Sequence, residues 1–208
     1  MTQREAQRAR TRAAIVQTAA AMIDDRGYLG TSIRDVARAL DLTVGAIFFH
    51  FPAKDDLGRA VLRESQVRWT SLVDAARTRP GPRLHALVWL TGRAAEAYVD
   101  DVHVRAAVRL VRERALRAEV LPTPHAGWVA VTAELLGAAA EAGELAPGLD
   151  VEPVAYQIVC TWSGNQQLVR DLDTLDRLPE RLQDMWRAYL PLLVGERGLD
   201  LDAVFAAD

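Results

Sequence analysis

The chain has 208 residues, of which 50% are hydrophobic and 25% are charged, and this composition excludes a disordered or low-complexity protein. The formal net charge of -3 gives no sign of a polyanionic partner, but the charge is unevenly distributed. Residues 1–54 hold eight basic and five acidic side chains, whereas the remainder holds 17 basic and 23 acidic ones. A basic N-terminal quarter predicts contact with an anion such as a phosphate backbone.

Several other classes of protein are excluded by the same inspection. Cys160 is the only cysteine, so the chain has neither an intrachain disulfide nor a thiol pair for zinc. The sequence has no run of about 18 apolar residues, and its N-terminus is polar and rich in arginine. We expect a soluble, cytoplasmic protein without a membrane partner, a bound metal or another cofactor.

Apolar residues recur at helical spacing along the chain, and no segment alternates convincingly in the manner of a strand. This pattern predicts an all-α protein. The first helix is expected over 5–25, ending at Gly27. Longer helices are expected near 53–77, 83–99, 102–118, 126–142, 151–170 and 179–195.

Two short helices joined by a tight turn are predicted after the first helix. Thr31 or Ser32 caps the first of them. The second runs over 44–51, from a capping Thr43 to the break at Pro52. This arrangement predicts a helix-turn-helix, whose second helix can enter the major groove of DNA.

Two features of this region bear on how DNA is held. Gly45 lacks a Cβ and would let the backbone approach a duplex closely, although a packing glycine explains it equally. A run of arginines before the helix-turn-helix is expected to reach along a phosphate backbone, with a merely solvated arm as the alternative. These arginines are Arg4, Arg8, Arg10 and Arg12.

The segment 31–57, TSIRDVARALDLTVGAIFFHFPAKDDL, resembles the signature of the TetR family of one-component transcriptional repressors. In that family, the positions that match Thr43, Phe48, His50 and Lys54 lie along phosphates. The positions that match Gly45, Ala46 and Phe49 face base edges. Thr31 and Val44 complete the set of DNA-binding residues that the resemblance implies.

Three residues depart from the family pattern. Asp41 occupies a turn position that is usually glycine, and aspartate tolerates a left-handed conformation better than most residues. Val44 stands where lysine is usual, and Phe48 lacks the hydroxyl of the usual tyrosine. Two phosphate contacts per subunit are therefore missing, so we expect DNA binding to depend more on the N-terminal arginines.

The resemblance extends over the whole chain, most closely to receptors for γ-butyrolactone autoregulators, which control antibiotic production in filamentous soil bacteria. It is carried by the segment 104–110, by the proline-rich loop before Trp128, and by 158–161. The resemblance implies that Trp128 packs over a ligand ring and that Thr161 hydrogen-bonds its carbonyl.

A cavity for a small lactone or furan needs apolar walls and a few placed polar groups. Ordinary core packing explains Trp89 and Trp162 at least as well as ligand binding does. The other candidate ligand-binding residues, beside Trp128 and Thr161, are Trp89, Tyr98, Leu110, Trp162 and Gln166.

The last predicted helix carries a wide apolar stripe with aromatic members. Paired with the helix near 151–170, it is expected to form a four-helix interface with a second copy of the chain, burying Trp186 and Leu190. Packing into the core of its own monomer is the alternative. The predicted dimerisation residues are Met185, Trp186, Tyr189, Leu190 and Leu193.

These observations predict a homodimeric repressor with a helix-turn-helix domain over 1–52 and a ligand-binding and dimerisation domain over 53–208. Its partners are a pseudo-palindromic operator in double-stranded DNA and a small autoregulator of the butyrolactone, butenolide or furan type that releases it, with secondary metabolism as the controlled process. The alternative is a ligand-blind DNA-binding protein whose C-terminal domain only dimerises. An enzyme is not expected, because the histidines lack metal-ligand spacing and no nucleophile elbow or P-loop is present.

Overall fold

The computed structural model describes residues 2–114, 116 and 124–195. Within these residues the chain forms α-helices, one short 3-10 helix at Leu175–Arg177 and no strand, so the predicted all-α fold is confirmed. No helix in the described part is long and apolar enough to cross a membrane. The helices are α1 (Gln3–Arg26), α2 (Ile33–Ala39), α3 (Val44–His50), α4 (Lys54–Thr78), α5 (Arg83–Asp100), α6 (Val102–Arg112), α7 (Pro124–Glu141), α8 (Val151–Asp171) and α9 (Leu178–Val194).

Helix α1 has a clear start and a clear end. The Thr2 hydroxyl accepts a hydrogen bond from the Glu5 amide at 3.2 Å, and the Glu5 carboxylate accepts one from the Thr2 amide at 2.7 Å. This reciprocal pair is a capping box. The helix ends at Gly27, as predicted, where the backbone adopts φ 80°. Because α1 begins at Gln3, the N-terminal arginines lie on a helix rather than on an extended arm.

Ser32, rather than Thr31, caps helix α2. The Ser32 hydroxyl accepts from the amide of Asp35 at 3.1 Å, and the Asp35 carboxylate bonds back to Ser32. Thr31 is buried, and its hydroxyl donates to the Gly27 carbonyl at 2.9 Å. Of the two candidate capping residues, Ser32 therefore caps α2, because the Thr31 hydroxyl is bonded to Gly27.

The turn and the start of α3 form as the sequence predicts. Asp41 adopts φ 52°, the left-handed conformation that the family turn requires. Thr43 caps α3, its hydroxyl accepting from the amide of Ala46 at 3.1 Å. The predicted helix-turn-helix is thus α2 and α3.

The folded chain divides into two compact units. The first contains the described residues of 1–68 and 100–121, and the second contains those of 69–99 and 122–208. The division falls inside α4, between Arg68 and Trp69. The separation into domains at residue 52 stays a prediction.

Helix α6 packs against α1 in the first unit, around a core that includes Ile23 and Leu110. Polar contacts fix the same pair of helices. Arg105 Nε donates to the Asp24 carboxylate at 2.6 Å, and Arg109 Nη1 donates to the Asp24 and Asp25 carbonyls at 2.7 and 2.9 Å. The Arg109 guanidinium thus satisfies carbonyls at the C-terminal end of α1, where a positive charge also complements the helix dipole.

Helix α6 is shorter than the predicted span of 102–118, because it ends at Arg112. The Glu113 carboxylate accepts from the amide of Tyr28 at 2.9 Å, and Arg114 leaves the helix at φ 47°. The residues 115 and 117–118 of the predicted span lie outside the described part of the chain.

In the second unit, Trp186 of α9 is 0% exposed, and its indole Nε1 donates to the Thr91 hydroxyl at 2.8 Å. Met185, Leu190 and Leu193 are also buried within the single chain. Side chains that are enclosed in this way have no surface left for a partner, so the assignment of these four residues to the dimer interface is wrong. The alternative, packing into the core of their own monomer, holds for them.

Candidate functional site

Helix α3 presents an apolar face to solvent. Ile47 anchors the helix in the core and is 0% exposed, whereas Phe48 and Phe49 are 45% and 66% exposed. Gly45 is exposed as well, and Ala46 is half-buried. Two large exposed aromatic side chains on one short helix are unusual for a surface that contacts only water.

Arginines of α1 lie over one ring of this face and over the buried ring that follows α3. The guanidinium of Arg8 is 4.8 Å from the centroid of the Phe49 ring, and that of Arg12 is 4.9 Å from the centroid of Phe51. Arg4 precedes Arg8 by four residues and therefore shares its side of the helix. Arg10 donates a hydrogen bond to Gln7 at 3.1 Å.

The remaining polar candidates of the first unit are His50 and Lys54. Burial and the charges of Arg8 and Arg12 hold the pKa of His50 below its ordinary value, which favours the neutral imidazole. The Lys54 ammonium lies 4.1 Å from the centroid of the Tyr28 ring. Burial lowers the pKa of Lys54, and the neighbouring Asp55 acts in the opposite direction.

The structure removes one residue from the predicted DNA-binding set and clarifies two others. Thr31 is 4% exposed and its hydroxyl is already bonded to Gly27, so it offers nothing to a phosphate. Val44 is half-buried and packs against the core of the first unit. A Cβ placed on Gly45 would meet only the Thr43 hydroxyl oxygen, at an ordinary 3.8 Å, so the described packing does not require glycine at this position.

Three indole rings of the second unit form a group that we call the tryptophan cluster: Trp69, Trp128 and Trp162. The centroids of Trp69 and Trp128 are 3.8 Å apart, and those of Trp128 and Trp162 are 4.7 Å apart. The planes are inclined by 33° and 31°, so the rings of each pair are tilted against each other. Sequence reasoning missed Trp69, whose only signal is an indole in the polar stretch 65–71 of α4.

Two buried nitrogen atoms beside this cluster have no hydrogen-bond partner within the described part of the chain. They are Nε1 of Trp162 and Nε2 of Gln166, in side chains that are 6% and 2% exposed. The two residues are four apart on α8, so they lie on one face of that helix. A buried donor without a partner costs about 1–3 kcal/mol, and an acceptor atom of a ligand would remove that cost.

The other predicted ligand-binding residues have partners inside the protein. The hydroxyl of Thr161 is 2.8 Å from that of Tyr189 and donates to the Gln157 carbonyl. Tyr98 is fully buried, with Arg170 Nη1 at 3.4 Å from its hydroxyl. The half-buried Trp89 is covered by a guanidinium, that of Arg79 at 4.7 Å.

Leu110 lies in the hydrophobic core of the first unit and is 1% exposed. Apolar packing against α1 accounts for this side chain without a ligand. Its assignment to the ligand site is therefore withdrawn. The structure brings Trp128 and Trp162 together and places Gln166 one turn further along α8.

Family models match both parts of the chain. Residues 15–61 match the model described as "Bacterial regulatory proteins, tetR family". Residues 82–195 match the model described as "Tetracyclin repressor-like, C-terminal domain". The second match alone covers more than half of the 208 residues.

Curated and solved relatives agree with these models. The chain is 32% identical over 189 residues to the A-factor receptor protein of Streptomyces griseus. This alignment covers 90% of this chain and 65% of that protein. CprB from Streptomyces coelicolor A3(2) superposes with a TM-score of 0.85 at 30% identity, over 97% of this chain and 96% of CprB. A crystal structure of a γ-butyrolactone receptor superposes with a TM-score of 0.81 at 30% identity, over 91% of each chain.

Proposed function

Because the chain belongs to the TetR family of bacterial regulatory proteins, we propose that it is a dimeric transcriptional repressor that a small ring compound releases from its operator. The ring compound is of the butyrolactone, butenolide or furan type, and the controlled genes serve secondary metabolism. The observation that carries the proposal is the pair of donors at the tryptophan cluster that have no partner among the described residues, in a chain whose first unit contains a helix-turn-helix.

The first unit supplies the DNA-binding half of the proposal. Helix α3 is the element that enters the major groove, and Arg8 and Arg12 lie beside it, where they would meet phosphates. CprB, which is 30% identical to this chain, has been solved in complex with its biological operator sequence, and that structure superposes with a TM-score of 0.82. A two-fold dimer would present two α3 helices about one DNA turn, roughly 34 Å, apart.

The tryptophan cluster supplies the ligand-binding half. Indole rings offer flat apolar faces to a planar ring, and the N–H groups of Trp162 and Gln166 offer two donors to its oxygen atoms. A ligand-blind protein would keep both donors buried at a cost and without a use. For this reason the ligand-responsive function is preferred over the ligand-blind alternative.

Helix α4 contributes a residue to each half. Lys54 begins the helix in the first unit, and Trp69 belongs to the second. A ligand that displaces or reorients Trp69 acts on the helix that also carries Lys54. Release then follows if the ligand-bound dimer no longer presents its α3 helices at the operator spacing, and couplings of this kind are typically about 1–3 kcal/mol.

The exposed face of α8 replaces the withdrawn residues as the proposed dimer surface. One row of exposed residues on this helix has a spacing of four positions, with Gly164 at its centre, and Leu192 of the adjacent α9 is 72% exposed. In a two-fold interface, the central residue lies against the same residue of the second copy, and a glycine there lets the two α8 helices approach closely. The row consists of Tyr156, Cys160, Gly164 and Leu168 on α8 and of Leu172 at its C-cap.

A cysteine at position 164 is expected to cross-link the dimer. In a Cys160→Ser background, Gly164→Cys adds the only thiol, and its Cβ meets nothing within 4 Å among the described residues of the chain. Mild oxidation should give a disulfide-linked dimer on non-reducing gels. Glu152→Cys in the same background is the control, because it is exposed in the first turn of α8, about 18 Å along the helix from the centre. A dimer in solution that cross-links at 152 but not at 164 would contradict the proposed surface.

Restoring a hydroxyl at position 48 is expected to tighten DNA binding. Phe48 is 45% exposed on α3, at the position where the family usually carries a tyrosine on phosphate. Phe48→Tyr should raise operator affinity by about tenfold or more, since the dimer gains two hydrogen bonds from neutral hydroxyl donors to phosphate, and a typical hydrogen bond is worth roughly 0.5–1.5 kcal/mol. The salt dependence should stay the same, because a neutral donor releases no counterion. Phe48→Leu is the control, and fluorescence anisotropy over a salt series is the measurement.

Operator binding itself is tested by selection. The protein is incubated with a randomised 30-base-pair duplex library, and the bound duplexes are recovered and sequenced. The proposal predicts enrichment of a pseudo-palindrome whose half-sites are centred about one helical turn apart. Recovery of unrelated sequences after several rounds would contradict sequence-specific repression.

A further inference from the structure

We infer that α3 reads its operator through the C5 methyl groups of thymine, with Phe49 as the residue that determines specificity. The inference rests on the operator binding proposed above and goes further, because it names the chemical groups in the major groove that are recognised. It follows from the composition of the exposed face of α3, from the position of the Phe49 ring, and from the charge that surrounds it.

The face of α3 that would enter the groove is apolar. Base pairs present hydrogen-bond donors and acceptors in the major groove, and proteins usually read them with arginine, asparagine, glutamine or acidic side chains. Helix α3 carries none of these, and from Val44 to Phe49 every side chain is apolar. The apolar feature that a base offers in the major groove is the methyl group of thymine.

The Phe49 ring is held in position before any DNA arrives. The guanidinium of Arg8 lies 4.8 Å from the ring centroid. The ring of His50 lies 5.3 Å away at an interplanar angle of 83°, in an edge-to-face arrangement. Despite both contacts, the side chain remains 66% exposed. A ring that is fixed and largely exposed presents apolar surface outward, and it loses little entropy when it meets a methyl group.

Charge distinguishes DNA from a protein as the occupant of this face. Arg8 and Arg12 lie over aromatic rings beside the exposed surface, and residues 1–54 carry eight basic side chains against five acidic ones. An apolar strip beside arginines complements a major groove, in which methyl groups lie between two phosphate backbones. We therefore assign this face to thymine-bearing duplex DNA.

Base analogues test the inference atom by atom. The probe is the duplex that the protein selects from the randomised library, made with thymine, with uracil, with cytosine or with 5-methylcytosine at each candidate position. Uracil removes only the methyl group from thymine, and 5-methylcytosine restores a methyl group in the same place on a different base pair. Control duplexes carry uracil only outside the enriched half-sites.

Loss of one buried methyl group is expected to weaken binding about fourfold per half-site and about 15-fold when both half-sites are changed. Thymine should bind best, 5-methylcytosine should recover part of the loss from cytosine, and the control duplexes should bind as tightly as the original.

Protein variants show whether Phe49 is the side chain responsible. Phe49→Ala should bind thymine and uracil duplexes with equal affinity, while Phe49→Leu should retain part of the preference. Phe48→Ala is the matched control, because loss of that ring should weaken binding to both duplexes by the same factor and leave their ratio unchanged.

Each outcome of these experiments decides a separate point. Equal binding of thymine and uracil duplexes by the unaltered chain would overturn the inference while leaving operator binding intact. A thymine preference that survives in Phe49→Ala would overturn the role of Phe49. A selection that enriches no sequence would overturn both the inference and the proposed operator binding.

Discussion

Replacing Arg8 and Arg12 together by alanine is expected to weaken operator binding by about 100-fold or more at moderate salt. Both guanidinium groups lie over rings beside α3, and the missing lysine and tyrosine at positions 44 and 48 leave few other phosphate-binding groups on this helix. The dimer would lose four charged hydrogen-bond donors, whose bonds are worth about 1.5–3 kcal/mol each. Loss of only part of this binding free energy would still lower the operator affinity strongly. The slope of log affinity against log salt should fall by roughly 0.9 for each phosphate that is no longer neutralised.

The double substitution is a sharper test than truncation. Deleting residues 1–10 would remove the capping box and the first turns of α1, so a reduced affinity could reflect unfolding of that helix. The matched control is the double alanine variant of Arg181 and Arg187, which pair with Asp184 on α9 of the second unit. Affinity and slope are measured by fluorescence anisotropy, with thermal unfolding as a check on the fold. An unchanged affinity at moderate salt would contradict the proposed role of the arginines.

The second large effect is expected at the tryptophan cluster. Trp128→Ala should keep operator binding while raising the ligand concentration needed for half-maximal release by at least about tenfold. The reason is that Trp128 is the ring that contacts both of the others, 3.8 Å from Trp69 and 4.7 Å from Trp162, so its removal breaks up the aromatic cluster. Equal release from the variant and from the unaltered protein would contradict the assignment of this cluster to the ligand.

A companion variant separates ligand binding from folding. Gln166→Leu replaces a buried amide whose nitrogen has no partner within the described residues. The free energy of unfolding should therefore stay the same or rise, while release by the ligand becomes weaker. Gln167→Leu is the control. The Gln167 side chain donates a hydrogen bond to Asp171 at 2.6 Å, one turn further along α8, so this substitution removes a bond that the folded protein makes. A destabilised Gln166→Leu protein would show that the amide serves the fold.

The parts of the fold that depend on local chemistry were predictable from the sequence. Thr43 caps α3, and Gly27 ends α1 at a positive φ, because a hydroxyl or a missing Cβ acts on the nearest turn of the backbone. The early end of α6 was not predictable: the chain leaves the helix at Arg114 with φ 47°, and Glu113 bonds to an amide 85 residues away in the chain. Helical periodicity carries no information about such a partner.

The site was predictable only in part, where a sequence motif marks it. The family motif located α3, whereas the role of Trp128 in covering a ligand ring stays a prediction; the structure adds that Trp128 contacts two other indole rings. The ring of Trp69 was missed, because stacking joins residues that lie far apart in sequence. The stripe on α9 was assigned to the wrong surface, since an amphipathic pattern shows that a face is buried but not what covers it. The exposed face of α8 became visible only once the burial of each residue was known.

The central claim is that one ring-binding cluster controls operator release. Its most direct test titrates a panel of γ-butyrolactones, butenolides and furans into the complex of the protein with its selected operator, followed by anisotropy of the labelled DNA. We predict release by at least one class, accompanied by a change in tryptophan fluorescence that Trp128→Ala abolishes. Operator binding that persists with every class, with unchanged fluorescence, would contradict the claim and favour the ligand-blind alternative.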